Sequence, residues 1–152
     1  VSDIVVNGTA YPVTWISDTV WRITVLLAAG ADPTLDPVPW LAQLDRLMIE
    51  MTAAVDAEDG PKFSDLNLEF HRTIVASCGN DMLRELTMDI WQRHSGFQRV
   101  FRMIPGRIAT SQREHEGIMA ALRDHDAERA SRLARKAAAT SKRAWPRSTS
   151  PR

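Results

Sequence analysis

The chain has 152 residues, 44% of them apolar and 25% charged, with 19 basic and 19 acidic side chains in balance. That is the composition of one soluble domain, and at this length roughly 68–70% of the unfolded surface can be buried in a single core. The one cysteine, Cys78, excludes an internal disulfide framework and a cysteine-based zinc finger. No run reaches the roughly 18 apolar residues of a membrane span, and the N-terminal residues lack the basic start of a signal peptide. A cytoplasmic protein with no membrane partner is expected.

Residues 1–14, with Ile4, Val5, Val6, Gly8 and Pro12, pattern as an extended arm with a turn. From Trp15 the apolar residues recur at three-to-four spacing, and a first helix is predicted over Trp15–Ala29, closed by Gly30. Asp36 and Pro37 read as the cap and first turn of a second helix through Leu44, Met48, Met51 and Val55 to about Asp59, ended by Gly60-Pro61. A third runs from about Ser64 to Ser77 with Leu66, Leu68, Phe70 and Ile74 inward, and Gly79-Asn80 tolerates the positive φ of its stop. The fourth, Met82 to about Met103, carries Leu83, Leu86, Ile90 and Trp91 and ends at Pro105-Gly106. Ile108–Arg123 forms the fifth, and Asp126 caps a sixth through Ala130, Leu133, Ala134 and Ala137. Residues 15–145 thus form an all-α antiparallel bundle of about six helices, and residues 146–152, without core-forming side chains, a disordered tail.

The neutral total hides a split. All 19 acidic residues precede Arg129, whereas the stretch from Arg129 onward holds eight basic and no acidic side chains. Arg129, Arg132, Arg135 and Lys136 fall opposite the alanines of the last helix, which makes them its wet face.

In LNLEFHRTI, residues 66–74, Asn67 and His71 are four apart and project from one helix face, with Phe70 and Ile74 on the adjoining stripe. His115, in REHEGIMAAL, lies in line with Met119 beside the inward Ile118 and Leu122. Facing helices of a bundle can bring His71 and His115 together as metal ligands, although a lone histidine on a helix flank is more often a packing residue. His94 and His125 fall in polar surroundings and read as exposed. Arg99 and Arg102 are the candidates for clamping a carboxylate effector. No nucleophile elbow, phosphate loop or HExxH occurs.

Taken in order, LNLEFHRTIVASCGNDMLREL at 66–86 and SQREHEGIMAALRDHDAERASRLARKA at 111–137 resemble the FCD domain, the ligand-sensing C-terminal half of FadR-type GntR transcription regulators. The resemblance covers about residues 15–145. It implies a helical bundle that forms a homodimer and binds a small carboxylate-type metabolite, often beside a divalent metal such as zinc or nickel. Carried over residue by residue, the metal ligands fall on Asn67, His71 and His115, and the fourth falls on Ala137, which has no donor atom. Residues 1–14 are too few for the winged helix-turn-helix that precedes this domain in the family, so DNA contact would belong to a missing or separate segment. An effector sensor is the leading expectation. Non-specific nucleic-acid binding by the basic C-terminal segment is second. A helical-bundle metalloenzyme built on His71 and His115 is the least favoured, since Glu69, Glu114 and Glu116 do not share the histidines' side as a general base must.

Overall fold

The computed structural model describes residues 4–6, 9–11, 39–93 and 104–144. In the arm, Ile4–Val6 (β1) and Thr9–Tyr11 (β2) pair antiparallel, Ile4 opposite Tyr11 and Val6 opposite Thr9. Five helices follow among the described residues: α1, Pro39–Asp56; α2, Gly60–Ala76; α3, Asp81–Arg93; α4, Arg107–Arg123; and α5, Ala127–Ala144. The body is the all-α bundle that the periodicity predicts. The first predicted helix, the latter half of the fourth and the C-terminal tail lie outside the described residues. None of the described helices is long and apolar enough to cross a membrane.

The junction of α1 and α2 departs from expectation. Gly60-Pro61 does not end a helix but opens one: α1 stops at Asp56, and Asp59 caps α2 by accepting the Lys62 N–H at 3.0 Å. Proline suits a first helical turn because its missing N–H has no intrahelical partner there to lose. Glu58 takes the left-handed turn between the two, at φ 52°. Starting α2 four residues early adds Phe63, fully buried, to its inward face.

The other punctuation follows the sequence. Gly79 adopts φ 68° and Asn80 Oδ1 accepts the Leu83 N–H at 2.9 Å, which starts α3. Gly106, also at φ 68°, directly precedes α4. Asp126 Oδ1 accepts the Arg129 N–H at 2.9 Å, the predicted cap of α5.

The core lies where α1, α2, α4 and α5 meet. Leu44 and Met51 of α1, Phe63, Phe70 and Ile74 of α2, Ile118 and Leu122 of α4, and Ala130 and Ala134 of α5 have no or almost no exposed surface. Helix α1 packs on both α2 and α4, while α5 lies along α4 and α3 touches α2. On α3 the buried side chains are Thr87 and Ile90, whereas Leu86, expected inward, is exposed. Thr87 tolerates burial because its hydroxyl donates to the Leu83 carbonyl at 2.7 Å. The outward face of α5 is basic as read, with Arg132, Arg135 and Lys136 exposed and Arg129 paired to Asp124 at 3.0 Å.

These contacts rank two substitutions. Phe63→Ala should cost about 3–5 kcal/mol in urea unfolding, through lost burial and a residual cavity. Asp126→Ala should cost only about 1 kcal/mol, the value of one cap. A Phe63→Ala loss no larger than that of the cap would contradict the placement of Phe63 in the core.

Candidate functional site

Helix α2 delivers Asn67 and His71 from successive turns, and α4 delivers His115 opposite them. The two imidazoles meet edge to face, with ring centroids 5.1 Å apart and planes at 69°. Phe70 supports both rings, its centroid 5.7 Å from His71 and 4.7 Å from His115. The structure therefore brings His71 and His115 together between α2 and α4, with Asn67 one turn before His71 on α2. Arg99 and Arg102 lie outside the described residues, as does His94, and His125 is exposed in the turn before α5.

His115 belongs to a buried stripe of α4 that begins at Arg107 and continues through Ser111 to Met119 and Leu122. Arg107 is only 4% exposed. Its Nη2 donates to Glu114 Oε2 at 2.8 Å and to Ser141 Oγ at 2.6 Å, joining α4 to the last turns of α5. Ser141 Oγ in turn donates to the Ala137 carbonyl at 3.1 Å. Ala137 thus sits one turn from the residue that holds Arg107, and offers a methyl group there.

A second tie runs to α1. Gln112 Nε2 donates to Thr52 Oγ1 at 3.0 Å and to the Met48 carbonyl at 3.4 Å. Three buried acceptors of the region, Asn67 Oδ1, His115 Nδ1 and Gln112 Oε1, have no hydrogen-bond partner among the described residues. Buried polar atoms are normally satisfied, and these three receive no hydrogen bond from the described residues.

Burial sets the protonation of the pair. It pushes the His71 imidazole down from 6.5 to about 4. His115 is held well below 6.5, first by burial and then by the charges of His71 and Arg107. Both rings are accordingly neutral at physiological pH, the form that coordinates metal.

The donor set suits a divalent ion in part. The two imidazoles meet, with the amide of Asn67 one helical turn from His71, and imidazole suits zinc or nickel. Among the described residues, however, no group of three or more His, Cys, Asp or Glu side chains assembles. Such a site would be weak and open, with three neutral protein ligands.

Sequence reasoning passed over Arg107 in favour of Arg99 and Arg102, and missed Gln112 and Ser141 as members of this region. A signal for Arg107 was present: residues 107, 111 and 115 are spaced four apart, so they occupy the same stripe of a helix. Ser141 carried no comparable mark, because its role comes from the approach of α5 to the start of α4.

Comparison with known proteins bears on the whole domain. A family model described as FCD domain matches residues 23–139. Among solved structures, E. coli McbR/YncC is similar in fold, with a TM-score of 0.71 at 18% sequence identity over 93% of this chain and 77% of that one. No curated protein sequence matches the chain.

The buried imidazoles predict a pH dependence. Between about 6.5 and about 4 the unfolded chain binds protons that folded His71 and His115 refuse, so stability present at neutral pH is lost as pH falls through that window. Each unit of depression is worth about 1.4 kcal/mol. The urea midpoint should fall across this range, and less steeply in His71→Leu and His115→Leu. An identical slope in wild type and both variants would mean that the rings are not sealed from water.

Proposed function

The chain belongs to the FCD domain family, and from that premise we propose that it is the cytoplasmic effector-sensing part of a FadR-type GntR transcription regulator. Its ligand is a small organic acid bound where α2 and α4 present Asn67, His71 and His115. The observation that carries this reading is the meeting of two neutral imidazoles from separate helices, one helical turn from Asn67, whose buried Oδ1 has no partner among the described residues. Packing alone does not require polar atoms to be left unsatisfied in the interior.

Asn67 Oδ1 and the two imidazoles are the groups that would hold a divalent ion. The ion would supply a positive contact for an oxygen of the effector. Phe70 and the helix packing around it orient the rings and keep water from them. The activity is binding and signalling, with no chemical step. Occupancy would be transmitted as a change in the geometry of a homodimer, and DNA would be read by a winged helix-turn-helix outside residues 39–144. McbR/YncC supports this reading at the level of fold.

Thermal-shift screening with small carboxylates, each with and without Zn2+ or Ni2+, tests it. A ligand at a hundred times its Kd stabilises the folded state by about 2.7 kcal/mol, which moves Tm by several degrees in a domain of this size. A hit should raise the Tm of wild type and fail to do so for His71→Ala and His115→Ala. No response to any combination, or hits indifferent to both substitutions, would overturn the assignment of the site.

A further inference from the structure

We propose that the outer face of α5 is a phosphate-tracking surface that holds duplex DNA without regard to its sequence. This contact is separate from the histidine site and gives the domain a hold on nucleic acid of its own.

Positive charge is concentrated on this one helix. From Arg129 onward there are eight basic side chains and no acidic one. Arg132, Arg135 and Lys136 are exposed and share one side of α5, since steps of three and four residues stay on one side of a helix. Arg143, eleven positions past Arg132, returns to the same register after about three turns, so the stripe follows about 17 Å of helix axis. That length matches about five phosphates of one DNA strand at about 3.4 Å each.

These charges are also uncommitted. Elsewhere on the surface Arg72 lies by Glu69, Arg84 by Asp81, Arg123 by Asp45 and Arg129 by Asp124. The side chains of Arg132, Arg135 and Lys136 make no ion pair or hydrogen bond among the described residues. The helix dipole does not account for them, because its pull is confined to the last turn and these three stand in mid-helix.

The rest of the helix selects the kind of polyanion. A helix enters a lipid surface by its apolar face, but Ala130 and Ala134 are already buried in the core with Leu133 packed beside them. Single strands are held by stacking bases on aromatic side chains, and α5 carries none. A rigid row of cations with no aromatic partner suits the regular phosphates of a duplex. All 19 acidic side chains precede Arg129, so the body of the domain repels the same polyanion and the contact is confined to this stripe.

Fluorescence anisotropy of the full chain with a labelled duplex of about 20 base pairs, across a salt series, tests this. Binding should be saturable at about 50 mM salt, equal on two unrelated sequences, and fall with a log–log slope of about −3 or steeper, as three released counterions require. Arg132→Gln/Arg135→Gln/Lys136→Gln, with exposed positions and a good helix former, should bind at least tenfold more weakly and flatten the slope by about 3. Arg46→Gln/Arg72→Gln/Arg84→Gln removes the same charge from exposed positions of α1, α2 and α3, and should keep the wild-type slope. No binding at about 50 mM salt would overturn the proposal. Equal losses in the two triple variants would also overturn it, since net charge and not the stripe would then govern binding. Loss of binding in Arg147→Gln/Arg152→Gln, with the α5 variant unaffected, would overturn it in favour of the C-terminal residues. Tighter binding to phosphatidylserine vesicles, or to oligo-dT than to the duplex, would overturn the choice of double-stranded DNA.

Discussion

The geometry of the site depends on Phe70. It has no exposed surface, it stands on the inward face of α2, and it touches the imidazoles of both His71 and His115. A ring in that position fixes the separation of α2 and α4 at the level where the histidines project. It also covers His115 and part of His71, and this burial lowers their affinity for protons and leaves both neutral at physiological pH. Packing and chemistry are here one constraint: the core that stabilises the bundle also tunes the donors.

The polar network around that core is arranged by helix. Gln112 joins α4 to α1 through Thr52 and the Met48 carbonyl, and Arg107 joins α4 to α5 through Ser141. Helix α4 is therefore bonded on both flanks at buried positions, in an interior where lost hydrogen bonds are costly. The histidine that it carries is held by neighbours on either side as well as by Phe70.

Much of this was legible in the residues, and the remainder was not for definable reasons. Asn67 and His71 share a face because of their spacing, and their approach to His115 follows from the antiparallel bundle. Gly79, Asn80 and Asp126 mark helix ends through local backbone chemistry, so they were readable without knowledge of the fold. Gly60-Pro61 misled because the same pair can close one helix or open the next, and the choice was made by Asp59, whose carboxylate captures the Lys62 N–H. Phe63 was lost to the core by that error. Arg107 was obscured because an arginine on a helix is far more often solvated than buried. What buries it is the arrival of Glu114 and Ser141, one of them 34 positions away in the chain.

The seam between α4 and α5 is made largely of small side chains. Ala121, Ala130 and Ala134 are buried there, and at Gly117 a Cβ would already stand 3.6 Å from Leu133. Small side chains let the backbones of α4 and α5 approach closely, with Leu133 one of the few large side chains packed at this seam. Toward α1, by contrast, α4 meets methionine and leucine side chains and the Gln112 hydrogen bonds. The two flanks of α4 are therefore joined by different means, and the close α4–α5 approach is what brings Ser141 within hydrogen-bond reach of Arg107.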